Sequence, residues 1–234
     1  MIIAGDLASD YQLTLASLEE IETSTGVECL FVPGNHDIWN ENHPDITAWD
    51  AYEWLKAHKG NLVNGPRNLV GDWVAVGDLG WYDYSFGSPE FTLEAFDRMQ
   101  IDDRLWQDKV KAIWGKSTRS MHRYFYEKLQ QQLKTHQGKQ IILVLHVLPI
   151  QEFTVQPPDR MWSYLNAFLG SAQYGELALE YDVHYVICGH VHYRVQKRIS
   201  NTEFICNCLN YSDQWINTEP EKEIADVLKV IEID

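Results

Sequence analysis

The sequence predicts an α/β domain with sheets packed together between helices. Three observations lead there. Strand-like apolar runs alternate with helical patterns early in the chain, strand-like runs crowd its end, and four of these runs stop at a polar cluster. Length and composition agree. A chain of 234 residues makes one large domain or two at most,. With 45% hydrophobic and 23% charged residues it has the profile of an ordinary globular protein,, able to bury on the order of 70% of its unfolded surface.

In chain order, Met1-Ile2-Ile3-Ala4 reads as a short strand running into Gly5-Asp6. Leu13, Leu15, Ala16, Leu18 and Ile21 recur at helical spacing,. Cys29-Leu30-Phe31-Val32 is a buried strand stopped by Pro33-Gly34,. Residues 47–58 are expected to be helical, with Trp49, Tyr52 and Leu55 on one side, and residues 73–76 form a strand before Gly77. Residues 90–137 are long, polar and helix-prone, and are expected as a helical insertion beside the site, within a single domain spanning residues 1–234. Residues 141–145 are a strongly buried strand, Ser171 caps a helix reaching Tyr181, and residues 183–188 form a strand ending at Gly189,. Further strands are expected at 193–198, 203–207 and 227–233.

Charge narrows the function. Nineteen basic against 34 acidic residues leave a formal net charge of −15. That argues against broad nucleic-acid binding, which needs many Lys and Arg to neutralise phosphates, and against an anionic membrane surface. An anionic substrate would need local positive charge, which metal ions can supply. Cys29 and Cys188 sit in apolar runs as small buried hydrophobes, and Cys206-Asn207-Cys208 lacks zinc-motif spacing,. A reduced, cytoplasmic protein is expected. The first residues are too short an apolar run for a secretion signal, and residues 141–150, interrupted by His146, fall far short of a membrane span,.

The polar clusters carry the chemistry. Residues 1–4 run into Gly5-Asp6, residues 29–32 into Gly34-Asn35-His36-Asp37, residues 141–145 into His146, and residues 183–188 into Gly189-His190-Val191-His192. In α/β sheets ligands bind outside the carboxyl ends of the strands, so these side chains can converge at one edge. Gly5, Gly34 and Gly189 fit turns that re-aim the side chain. Mixed oxygen and nitrogen donors suit Mn, Fe or Zn. Asp6 has two oxygens and can bridge two ions, and an extended His190-Val191-His192 would point both imidazoles to one side. Taken singly, Gly-Asp is an ordinary turn, Asn-His-Asp a capped loop and His146 a hydrogen-bonded core histidine; together they indicate one metal site. His43, His58, His122, His136 and His184 are expected in ordinary surface, helix or strand positions.

These residues resemble the calcineurin-like metallophosphoesterase family. Gly5-Asp6, Gly34-Asn35-His36-Asp37, His146 and Gly189-His190-Val191-His192 match its motifs in order. The resemblance implies a four-layer α/β/β/α sandwich around a dinuclear centre, Mn first and Fe or Zn as alternatives. It implies that Asp6 bridges both ions, that Asn35, His146 and His190 hold one, and that His192 helps hold the other. It further implies that a metal-bound hydroxide hydrolyses phosphomonoesters or phosphodiesters of small phosphorylated substrates. His36 would be the general acid, with Asp37 orienting it. The stretch Gly80-Trp81-Tyr82-Asp83-Tyr84-Ser85-Phe86 is similar to a bacterial subgroup of the family.

One departure shapes the expectation. The family opens with a strand ending in Asp-x-His, which completes the second metal site. Only five residues precede Asp6, and the one Asp-x-His triplet, Asp182-Val183-His184, opens a later strand. The first strand of the fold is therefore expected to be missing from an N-terminally shortened chain, and the second ion to bind weakly. The alternative to an enzyme is a non-catalytic scaffold or an inactive truncated phosphoesterase. A β-lactamase-type zinc enzyme lacks its His-x-His-x-Asp-His run here. Trp81, Tyr82, Asp83, Arg160, Trp162, Tyr164 and Tyr193 are pocket candidates whose ordinary reading is core or surface, and no substrate-binding residue is assigned.

Overall fold

Side-chain alternation on three buried strands sorts the chain into layers. The computed structural model describes residues 1–40 and 42–234. The chain opens with β1 (Ile2–Ile3), α1 (Tyr11–Thr25), β2 (Leu30–Phe31), α2 (Ala48–Leu55), β3 (Arg67–Asn68) and β4 (Trp73–Asp78). Next come α3 (Leu93–Asp97), the hairpin strands β5 (Gln100–Ile101) and β6 (Arg104–Leu105), α4 (Asp108–Lys111), α5 (Thr118–Thr135) and β7 (Gln140–Leu145). Then follow α6 (Arg160–Leu165), α7 (Ala172–Glu180), β8 (Tyr185–Cys188), β9 (Arg194–Ile199), β10 (Thr202–Asn207) and α8 (Pro220–Val227).

β1 and β2 pair in parallel as a small sheet, joined by α1 as the crossover a parallel pair requires,. The main sheet runs β3-β4-β7-β8-β10-β9. Its central neighbours β4, β7, β8 and β10 are parallel, and β3 and β9 close the edges antiparallel. Period-two alternation then builds two faces. Ile142 and Val144 of β7 and Trp73 and Ala75 of β4 meet Leu30 and Val32 between the sheets. Ile141, Leu143 and Leu145 point the other way, onto Leu129 and Leu133 of α5 and Leu177 and Ala178 of α7. Phe31 faces outward onto Leu18 of α1 and Ala51, Tyr52 and Leu55 of α2. The order helix, sheet, sheet, helix follows, a mixed α/β sandwich.

Local signals set the helix ends. Asp10 accepts from the Leu13 N–H at the start of α1, and Gly26, at φ 69°, ends it,. Thr47 and Asp50 form a reciprocal capping box on α2, and Ser171 caps α7 as expected,.

Two segments differ from expectation. Residues 90–137 divide in two: α5 is a core layer, its Met121, Phe125, Leu129 and Leu133 buried at helical spacing, while α3, the β5–β6 hairpin and α4 precede it as short elements. Residues 227–233 are not a strand. Val227 ends α8, which Pro220 opens, and Leu228 and Val230 stand in solvent while Ile233 packs against the inter-sheet core. Apolar alternation there meets no strand partner among the described residues, so no ladder forms.

Candidate metal centre

The parallel register brings several strand ends to one edge. Asp78 of β4 lies opposite Leu145 of β7, so His146 emerges one residue past the ladder, and its N–H bonds to the Leu79 carbonyl. The Gly189 N–H bonds to the His146 carbonyl, which places His190 beside it. The small sheet delivers Asp6 past β1 and Asn35 past β2. Gly34 allows the two loops to touch, since a Cβ there would sit 2.1 Å from Asp6 Oδ1,. Gly5, at φ 85°, supplies the expected turn. At the third turn the left-handed conformation falls on His190 itself, at φ 71°, and Asp6 shares it at φ 56°. Such conformations persist in non-glycine residues where surrounding structure enforces them, often at functional sites.

Four acceptor atoms then converge. His146 Nε2 lies 2.9 Å from Asn35 Oδ1, 3.0 Å from His190 Nδ1 and 3.3 Å from Asp6 Oδ2. His190 Nδ1 lies 3.0 Å from Asn35 Oδ1. The opposite ring atoms are engaged: His146 Nδ1 lies 2.8 Å from the Ala4 carbonyl and His190 Nε2 lies 3.1 Å from the Phe168 carbonyl. A carbonyl can only accept, so those ring nitrogens carry the protons and the inward ones present lone pairs. Neutral imidazoles held by a bond from the far nitrogen are the usual form of a histidine ligand. Two imidazole nitrogens, an amide oxygen and a carboxylate oxygen suit a divalent cation. Among the described residues, Asp6, His146 and His190 are the one group of three His, Cys, Asp or Glu side chains within ligating distance of one another.

In the ion-free chain a proton takes one of these inward lone pairs. Burial opposes charge on His146, but the Asp6 carboxylate overrides it and lifts the imidazole to about 9. Burial would raise the Asp6 carboxyl, and the charge of His146 reverses this to a net lowering. Burial, then the charge of His146, pushes His190 down to about 3. One shared proton thus stands where a cation fits.

The other expected residues take distinct places. His36 opens a short 3₁₀ turn, His36–Ile38, that points its ring outward and Asp37 inward. The His36 backbone N–H donates to Asp6 Oδ1 at 2.9 Å, and its ring stacks on Trp39 at 3.7 Å. Burial lowers the pKa of this imidazole. Asp37 accepts from the N–H groups of Asp6, Leu7, Ala8 and Gly34 and from the Thr14 hydroxyl. It ties the Asp6 loop to the Asn35 loop, and no hydrogen bond from it to the His36 ring occurs among the described residues. Burial, then the charge of Asp6, raises its carboxyl to about 6. His192 is exposed, with its ring 4.7 Å from Tyr211 and outside the ligating group. The left-handed turn at His190 breaks the extended run that would have aimed both imidazoles alike.

Of the aromatic pocket candidates, Trp81, Tyr82 and Tyr164 are core. Arg160 pairs with Asp102, and the Tyr193 hydroxyl donates to the Phe153 carbonyl. Sequence reasoning passed over Asp108, Trp39 and Trp106. Trp39 lies under His36, and Trp106 stands edge-on to His190 at 6.0 Å. Asp108 bonds the Asn35 amide at 2.8 Å. As an acidic residue opening a short helix, it carries no local mark.

Comparison with known proteins speaks to the family and the fold. A family model described as calcineurin-like phosphoesterase matches residues 1–194. The solved structure of a phosphopantetheinyl hydrolase from Mycobacterium tuberculosis is similar over 95% of this chain and 83% of its own, at 16% identity and a TM-score of 0.79. A dimetal phosphatase from Danio rerio aligns over 84% of this chain and 65% of its own, at 16% identity and a TM-score of 0.48. At 16% identity the first of these likenesses speaks to fold alone. No curated protein matches the chain at the same stringency. Among the described residues no helix is long and apolar enough to cross a membrane.

Proposed function

The chain belongs to the calcineurin-like phosphoesterase family, whose members are metal-dependent phosphate-ester hydrolases, and on that premise we propose its reaction. It cleaves the P–O bond of small phosphomonoesters or phosphodiesters with an activated water, and His36 is the general acid. The observation that carries this reading is the inward set of lone pairs on Asp6, Asn35, His146 and His190. A bound divalent cation, manganese first and iron or zinc as alternatives, supplies charge to the phosphoryl oxygens and acidity to a water.

The chain's own residues do the positioning. Asp6 turns Oδ2 toward His146 while the His36 N–H holds Oδ1. The ligand that binds the cation is thus coupled directly to the backbone of the acid. Trp39 confines the His36 ring to one plane, from which it delivers a proton to the departing oxygen. Asp37 acts on that acid through the backbone, by fixing both loops. Only one of the four donors is a carboxylate, so most of a cation's charge stays available to an anionic substrate despite the net charge of −15. A second, weaker ion of a dinuclear centre would be held by Asp6 and His192.

The test combines Mn²⁺ calorimetry with hydrolysis of p-nitrophenyl phosphate and bis-p-nitrophenyl phosphate. A phosphopantetheine diester joins the panel because one fold neighbour is named for that chemistry. The expected result is one tightly held ion and Mn²⁺-dependent release of nitrophenol. Tight Mn²⁺ binding with no hydrolysis would favour the scaffold, and no Mn²⁺ binding would remove the metal reading altogether.

A further inference from the structure

Asp108 is nearly inaccessible, at 3% exposure, yet it is a carboxylate with no cationic partner within ion-pair distance among the described residues. Four neutral donors satisfy it instead. Oδ1 accepts from Asn35 Nδ2 at 2.8 Å and from Trp39 Nε1 at 2.8 Å. Oδ2 accepts from Trp106 Nε1 at 2.9 Å and from the Tyr82 hydroxyl at 3.3 Å. Three of these donors touch the metal centre directly. Asn35 contributes one of the inward atoms, Trp39 stacks on His36, and Trp106 lies against His190. The fourth, Tyr82, stacks on Trp81 in the aromatic core.

The Asn35 amide poses a specific problem. Rotated by half a turn, it would present N–H groups to the cluster in place of its oxygen, with almost no change of shape. Only the hydrogen-bond network chooses between these two states. Trp39 Nε1 can only donate, so Asp108 Oδ1, which it shares with Asn35, is an acceptor and can face only the NH₂ side of the amide,. We propose that Asp108 is the positioning residue of the metal centre: its carboxylate locks the Asn35 amide with Oδ1 toward the cation, and through Trp39 it holds the plane of His36. The inference rests on the metal reading above and adds the residue that makes Asn35 a ligand. In the flipped state the amide would turn N–H groups toward the place of the cation and repel it instead of ligating it.

The experiment measures Mn²⁺ affinity by calorimetry for the wild-type chain, Asp108→Asn and Leu133→Ala. Leu133 is a fully buried residue near the C-terminal end of α5. That end of α5 leads into the start of β7, so Leu133 reports loss of stability at the end of β7 opposite His146. Asp108→Asn is expected to weaken Mn²⁺ binding by roughly 10–100-fold, the usual effect of losing a group that orients a ligand. Turnover should recover partly at high Mn²⁺. Leu133→Ala should lower the melting temperature with affinity within about threefold of wild type. Wild-type chain that binds no Mn²⁺ overturns the metal reading itself. Wild-type chain that binds it while D108N binds equally well overturns only the role of Asp108, as does L133A weakening binding as much as D108N.

Should D108N fail to fold, the wild-type chain still decides the matter. The Asn35 side-chain amide protons should exchange slowly with solvent by NMR, both ion-free and Zn²⁺-loaded. Exchange at the rate of a solvated amide would overturn the proposal.

Discussion

Two neighbouring strands end in buried polar groups, and they resolve their charge in opposite ways. At the end of β4, Asp78 is wholly inaccessible and is met by the Lys128 ammonium at 2.6 Å and the Tyr52 hydroxyl at 2.8 Å. Its own neighbour Leu79 adds an N–H at 2.8 Å. The cation is part of the chain, so the site is complete. One strand over, His146 faces Asp6, Asn35 and His190, and no lysine or arginine enters the cluster among the described residues. Without an ion, the Asp6 carboxylate overrides burial and lifts the His146 imidazole to about 9, so a proton stands in. Depth of burial does not separate a structural polar cluster from a functional one. What separates them is whether the chain brings its own counter-charge.

Four measurements can break or sharpen that contrast. The largest effect belongs to chemistry on the open side: His36→Asn should lower kcat by about 10²–10⁴-fold and leave Mn²⁺ affinity nearly unchanged. A loss shared equally by affinity would place His36 among the ligands. On the closed side, Lys128→Met strands the Asp78 carboxylate and should cost about 3 kcal/mol in urea unfolding, at the low end for a broken buried pair because Lys128 is partly exposed,. The Mn²⁺-induced stabilisation should survive in that variant; its disappearance would mean the two clusters are one.

Third, saturating Mn²⁺ should stabilise only what lacks its own cation. At a hundredfold excess over Kd, linkage adds about 2.7 kcal/mol, roughly 5–10 °C in melting temperature for a chain of this length. EDTA should reverse the rise and His190→Ala should abolish it, whereas an unchanged rise in His190→Ala would place the ion elsewhere. The smallest effect tests a feature outside both clusters. Ser171→Ala removes the α7 cap and should cost about 1 kcal/mol without moving Mn²⁺ affinity or kcat.

Much of the fold was legible because its signals are local. Continuous apolar runs marked the buried strands at 73–76 and 141–145, a cap marked α7, and the glycines at 5 and 34 marked the two loops that meet. The misread strand at 227–233 shows the limit of such signals. A run of apolar residues reports that burial is available, and strand pairing also needs a free ladder beside it. The left-handed turn at His190 was equally hidden, since an unusual backbone angle on a histidine is imposed by the neighbours it must fit between. Asp37 was recognised as a site residue, but four of its five donors lie on another segment and could not be read from its own.

By itself the sequence determined which donors exist and at which strand ends they stand, because strand, turn and residue type are encoded over a few neighbours. Only the tertiary structure decided which of them face one another and in what protonation state. Those outcomes depend on atoms far apart in the chain: His146 meets Asn35 across 111 residues, His190 meets it across 155, and Asp108 reaches it across 73. A hydrogen bond has a direction that no residue carries alone, so the turn of the Asn35 amide can be read only together with the Asp108 carboxylate that folding places behind it.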